Sequence, residues 1–273
     1  MPTRFVLYSL ARCGSTTFND LLNCHEDIRS ISEPFEPQRY GGQYYQTVTD
    51  AASLDKTLDI IWQSYDGIKH VWHPNGAPFV GRPDLNKRLI SSPVVSVLFL
   101  TRRNILQRLL SNQIQRQSRP GVLDPLKRWV LETFSGPRYV PMLQFVRGLK
   151  KRRLRTFAFA PIDRSVIATR LAEEKGVIDE YRSLLLKSGT RFVDVYYEDL
   201  FGSTLTMAEK IEKLNNVLAF LGRRPISNTE QSNVENLFGP AQKIATSDVY
   251  RSIPGIEKIE AEFGSDETGW IFK

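Results

Sequence analysis

Arg12, Gly14, Ser15, Thr16 and Thr17 fall within six consecutive positions. They lie between an aliphatic and aromatic run, Arg4 to Leu10 (RFVLYSL), and a stretch with Phe18, Leu21 and Leu22 at helical spacing. A strand, a glycine-containing loop and a helix in that order leave free backbone amides and the positive end of a helix dipole at the loop. Such a place suits an anion, usually a phosphate. Arg12 adds a fixed positive charge with several donors, Gly14 admits close backbone approach, and the three hydroxyls add hydrogen bonds. A plain strand-to-helix turn would need only Ser15 or Thr16 as its N-cap, so the loop by itself fits either purpose. The G-x-x-x-x-G-K-[ST] loop of nucleoside-triphosphate enzymes is absent, because the first glycine and the lysine are missing, and so is the dinucleotide G-x-G-x-x-G.

Proton-accepting side chains follow at two places. Glu33 comes directly after a short strand-like run, Arg29 to Ser32, and is followed by Pro34 and Pro37, which stop regular structure. His70 and His73 lie on the strand-like run Gly67 to His73, next to Lys69. An imidazole, with a usual pKa near 6.5, is a ready base at neutral pH, whereas a glutamate near 4.3 needs desolvation or a late, charge-developed transition state. All three remain candidates. Lys69 is either a contact for a transferring anionic group or a solvated strand-end lysine.

These residues need a scaffold. The chain has 273 residues, 41% of them hydrophobic and 25% charged, the balance of a globular protein able to bury a sizeable core. Val94 to Thr101 (VVSVLFLT) reads as a central strand covered on both faces, and its end delivers Arg102 and Arg103. Helical spacing follows over Leu54 to Tyr65, Asn104 to Gln117, Arg164 to Lys187 and Thr206 to Leu221, and Arg191 to Tyr197 reads as a further strand. The alternation predicts an α/β fold, one domain over residues 1–273 with a mainly parallel central sheet flanked by helices. Four prolines between Ser118 and Lys150 predict irregular or short helical structure and mark a variable insertion, about 118–163.

Charge is unevenly spread. The net charge is +7, and between Thr101 and Arg170 sixteen basic residues face three acidic ones, which implies an anionic partner. Cys13 and Cys24 are the only cysteines, no C-x-x-C pair exists, and the first apolar run is too short for a signal or a membrane span. The expectation is a metal-free protein of a reducing, cytoplasmic compartment with no membrane span.

With these residues in place, the chain resembles the sulfotransferases that use 3′-phosphoadenosine 5′-phosphosulfate (PAPS), of the bacterial carbohydrate type. Arg12-Cys13-Gly14-Ser15-Thr16 matches their [KR]-x-G-[ST]-[ST] loop, and Arg103 with Ser111 eight residues later matches their strand-end arginine and helix serine. Ser32-Glu33-Pro34-Phe35, Gly67-Ile68-Lys69 and Tyr197-Glu198-Asp199-Leu200 look like further landmarks, and the resemblance spans about Arg4 to Gly222. It implies a P-loop-like nucleotide-binding architecture. It also implies that Arg12, Cys13, Gly14, Ser15, Thr16 and Thr17 cradle the 5′-phosphosulfate, and that Arg103 and Ser111 hold the 3′-phosphate. Related enzymes carry a catalytic glutamate near the position of Glu33. Others use a Lys-x-His pattern, from which Lys69-His70-Val71-Trp72-His73 departs in spacing.

The implied partners are PAPS and a hydroxyl-bearing acceptor, a carbohydrate or other polar metabolite, with Lys150 to Arg155 as a surface for an anionic or glycan acceptor. In such enzymes the C-terminal region closes over the nucleotide, which brings Lys243 into view. Two rival readings are a basic nucleic-acid-binding protein, for which no recognition motif is present, and a nucleotide-binding module without catalysis.

Overall fold

The computed structural model describes residues 3–92, 94–118, 154, 157–239 and 246–272. In chain order these form β1 (Phe5–Leu10), α1 (Ser15–Leu22), β2 (Ser30–Ser32), a 3-10 turn (Tyr40–Gly42), α2 (Gln43–Gln46), α3 (Ala51–Ile61), β3 (Gly67–Trp72), α4 (Pro83–Ile90), β4 (Ser96–Thr101) and α5 (Ile105–Gln117). After the insertion come α6 (Arg164–Ser188), β5 (Phe192–Tyr196), α7 (Tyr197–Phe201), α8 (Met207–Phe220), α9 (Asn228–Phe238), α10 (Ser247–Arg251) and α11 (Ile256–Phe263).

The five strands make one parallel sheet in the order β2-β3-β1-β4-β5, flanked by helices, so the fold is α/β. Every residue of β1 and β4 is buried, as apolar runs at the centre of a parallel sheet must be. From β1 the chain crosses toward β2, and from β4 it leaves the other way toward β5. The crevice at the carboxyl ends of β1 and β4 is therefore the switch point where open α/β sheets bind ligands. The loop Arg12 to Thr17 and the turn with Arg102 and Arg103 both start there.

A large apolar cluster surrounds the sheet, and a second one joins α5 and the start of α6 to α10, α11 and Ile271. That second cluster brings the C-terminal segment against the helix that carries Ser111.

Register sets one tight contact. Phe5 pairs with Gly67 across β1 and β3, and a Cβ at Gly67 would stand 2.1 Å from the Phe5 ring. Gly67→Ala is expected to cost about 2 kcal/mol by overpacking. Chemical denaturation would read this as a lower midpoint at unchanged slope.

Three local expectations are corrected. The N-cap of α1 is Gly14, at φ 82°, and not Ser15 or Thr16. Helix α3 begins at Ala51, ahead of Leu54, because Asp50 and Ser53 form a capping box, and it ends at Ile61. Tyr197 starts a helix instead of ending a strand. The proposed insertion lies outside the described residues from Arg119 to Arg153, and of the basic run Lys150 to Arg155 only Leu154 is described, where it is buried. Lys243 lies outside them as well. No helix among the described residues is long and apolar enough to cross a membrane.

Candidate anion and proton-transfer site

The loop after β1 turns through left-handed backbone at Arg12 (φ 71°) and Gly14. Only glycine adopts that conformation without penalty, so Arg12 must be held by its contacts. Its Nε donates to Ser111 Oγ at 3.1 Å, and Arg108 Nη1 donates to the Ala11 carbonyl at 2.8 Å. A side chain at Gly14 would come within 2.7 Å of the Tyr197 ring, so the loop lies directly on Tyr197. No side chain caps α1, which leaves the amides of its first turn open to a ligand. Burial pushes the Cys13 thiol up to about 11, so Cys13 enters the loop as a neutral core residue offering only its backbone.

Helix α5 and the end of β4 form the opposite wall. Glu198 on α7 accepts the amides of Arg103 at 3.0 Å and Asn104 at 3.1 Å, and Asn104 caps α5 through the Gln107 amide. This fixes the turn that leads into Ser111. The two arginines then part. Arg102 lies over the Tyr197 ring, 4.4 Å from its centroid, and donates to Gln107 Oε1 at 2.6 Å. Arg103 turns to Asp199, with bonds of 2.6 and 2.9 Å, and stacks over Tyr196. The expected Arg103 and Ser111 pair is thus not closed: Ser111 meets Arg12 while Arg103 is occupied elsewhere.

Arg108, which carried no prediction, is buried beneath the loop and paired with buried Glu174 of α6. Burial holds its guanidinium down at about 10. Burial also lowers Arg12, and neighbouring Arg102 adds to this. Tyr250 of α10, buried, closes the side of the cluster and reaches the Gln107 carbonyl at 3.3 Å. Arg12 thus meets Ser111, while Arg102 and Tyr250 meet Gln107 of the same helix and Arg108 of that helix holds the loop at Ala11. Only Arg12 and Ser111 belonged to a recognisable spacing; Arg102, Arg108 and Tyr250 sit in no motif.

The candidate base stands on the other side of the loop. Glu33, at φ 56°, follows β2, and its carboxylate bridges Lys69 Nζ at 2.5 Å and Arg39 Nη2 at 2.9 Å. Lys69 is fully buried, and its ammonium also donates to Thr16 Oγ1 at 2.9 Å and Ser32 Oγ at 3.2 Å. One ammonium thus ties the carboxylate to the first turn of α1. Burial lowers the Lys69 pKa, and the Glu33 carboxylate opposes that shift. A lysine solvated at a strand end is not what the fold contains.

His70 is corrected as a base. It neighbours Lys69 on β3 and so faces the opposite side of the sheet. There it stacks between Tyr8 and Phe79, with Nε2 at 2.8 Å from Asn86 Oδ1, and burial drives it down to about 4. His73 lies beyond β3, in a turn closed by its own amide to the Ala77 carbonyl.

The His70 shift has a measurable sign. The folded state keeps the ring neutral while the unfolded chain takes up a proton below about 6.5, so stability is lost as pH falls from about 6.5 toward 4, by about 3 kcal/mol. Denaturation of wild type and His70→Leu at several pH values should show a shallower pH dependence in the variant over that window.

Among the described residues no group of three His, Cys, Asp or Glu is arranged to hold a metal ion. Comparison with protein-family models finds none that matches the chain. Comparison with curated proteins finds no match either.

Proposed function

We propose that this chain is a PAPS-dependent sulfotransferase, a cytoplasmic enzyme that moves a sulfuryl group to a hydroxyl of a carbohydrate or other polar metabolite. The observation that carries the reading is the hydrogen bond from Arg12 to Ser111, which joins two motifs 99 residues apart at the switch point of the sheet. The sequence resemblance gives each motif a phosphate to hold. Arg12 and the open amides of Gly14, Ser15 and Thr16 suit the 5′-phosphosulfate, and Ser111 suits the 3′-phosphate, which ATP lacks.

The chemistry follows from the residues. A new bond forms between the acceptor oxygen and sulfur, the bond from sulfur to the bridging phosphate oxygen breaks, and the acceptor proton passes to Glu33. Charge grows on the bridging oxygen, where fixed donors stabilise the transition state more than the ground state. Arg12 and the α1 amides supply those donors. Lys69, held between Glu33 and Thr16, keeps the carboxylate oriented and adds positive charge beside the loop. Glu33, as an ionised group between two cations, accepts a proton only when the acceptor hydroxyl is already acquiring negative charge, which suits a late transfer.

The test is chromatographic detection of 3′-phosphoadenosine 5′-phosphate (PAP) released from PAPS over a panel of sugars and polar metabolites. Release that depends on the acceptor supports the reading. Turnover of ATP to ADP, with PAPS untouched, would replace it with a phosphotransfer enzyme.

A further inference from the structure

We propose that Arg108 is a positioning residue: oriented by Glu174, it sets the left-handed turn that carries Arg12 to its ligand. That Arg12 then meets the phosphosulfate rests on the proposed function, whereas the hold of Arg108 on the loop does not.

The grip comes from one face of α5. Arg108 and Ser111 are three residues apart and so neighbours on that helix. Arg108 Nη1 donates to the Ala11 carbonyl at 2.8 Å, and Ser111 Oγ accepts from Arg12 Nε at 3.1 Å. One helix therefore holds the backbone of the loop at Ala11 and its side chain at Arg12. The Ala11 carbonyl lies in the same peptide plane as the Arg12 amide, and φ of Arg12 is the rotation about the bond that leaves this plane. A donor fixed on the carbonyl thus holds the plane from which the φ of 71° is set. A residue with a Cβ leaves that conformation unless its surroundings over-determine it. On the other side Gly14 lies directly on the Tyr197 ring, so the turn is clamped between α5 and α7.

The chemistry of the arm fits this task better than it fits filling the core. Arg108 and Glu174 are each 3% exposed, and Nη2 of the arginine meets Oε1 of the glutamate. The attraction between two buried charges does not by itself offset their removal from water, and an apolar pair of similar volume would serve the fold as well. An apolar pair has no donor for Ala11. The guanidinium offers one nitrogen to the carboxylate and another to the loop, so Glu174 orients the group and Nη1 remains on the carbonyl.

The experiment combines ligand-free crystal structures, calorimetric titration with PAP and melting temperatures, all on the full chain. The variants are Arg108→Lys, Arg108→Met combined with Glu174→Leu, and that combination in an Arg12→Ala background. Arg108→Lys keeps a charge for Glu174 and loses the second arm, and the combined variant keeps a filled core and loses the arm altogether. Both are expected to melt within about 4 °C of wild type. Both should bind PAP about 20-fold more weakly, the loss expected when a charged donor no longer holds the loop. In their ligand-free structures Arg12 should leave positive φ and part from Ser111. On the Arg12→Ala background the combined replacement should weaken PAP less than about threefold further, because the side chain it positions is gone.

The proposal is overturned if the variants bind PAP as wild type does, if affinity falls only together with the melting temperature, if Arg12 keeps its positive φ and its bond to Ser111, or if the loss adds in full to that of Arg12→Ala. Should the combined variant not fold, Arg108→Lys decides the matter. Wild type that binds no PAP would remove the PAPS reading, and the ligand-free structures would then decide the hold of Arg108 on the loop by themselves.

Discussion

Glu33→Gln is expected to slow sulfuryl transfer about 1,000-fold while PAP affinity stays within about threefold, because general-base assistance is worth that order and the nucleotide contacts lie elsewhere. The amide keeps the shape and cannot take the proton. It also removes the negative charge that Lys69 meets at 2.5 Å and Arg39 at 2.9 Å. Melting curves should therefore be recorded beside the kinetics. The decisive pattern is a fall in kcat at nearly constant KM for PAPS, which a merely structural carboxylate would not give. Transfer that persists in the variant would move the base to His73, since His70 is sealed in the core with its ring held neutral.

Arg12→Ala carries the second large effect, a loss of about 100-fold in PAP affinity, from the charged hydrogen bonds it would make to phosphate oxygens. Arg12→Lys should recover only part of this, since an ammonium keeps the charge and loses the planar fork. The fold should tolerate the change. Arg12 sits at positive φ beside Arg102, with burial and that neighbour both disfavouring its charge, so the position serves binding at the expense of stability. Calorimetry and melting temperature together check this: affinity should collapse while the melting temperature changes little.

The scaffold was readable where composition and local geometry agree. The run SVLFLT is buried along its whole length as an apolar central strand should be, and Arg12 to Thr17 do form a turn into a helix. The start of α3 was missed by a reading that began at Leu54, although Asp50, an N-cap residue type three positions ahead of Ser53, held the signal for it. Side-chain direction was less accessible. The spacing from Arg103 to Ser111 was visible, yet the turn after β4 is set by Glu198, 95 residues further along the chain, which no local pattern encodes. Lys69 and His70 show the same limit. Both faces of a central parallel strand are buried, so alternation separates the two side chains without telling which of them meets the loop. Tyr250 reaches the arginines only because the second apolar cluster folds the C-terminal segment onto α5.

The most direct test of the central claim is calorimetric titration of the wild-type chain with PAP, with ATP as the comparison ligand. A dissociation constant in the micromolar range or below, about tenfold or more tighter than for ATP, is the predicted result, since the Ser111 side of the crevice has a 3′-phosphate to hold only in PAP. Binding of ATP as tight as that of PAP, or no binding of PAP, would contradict the account.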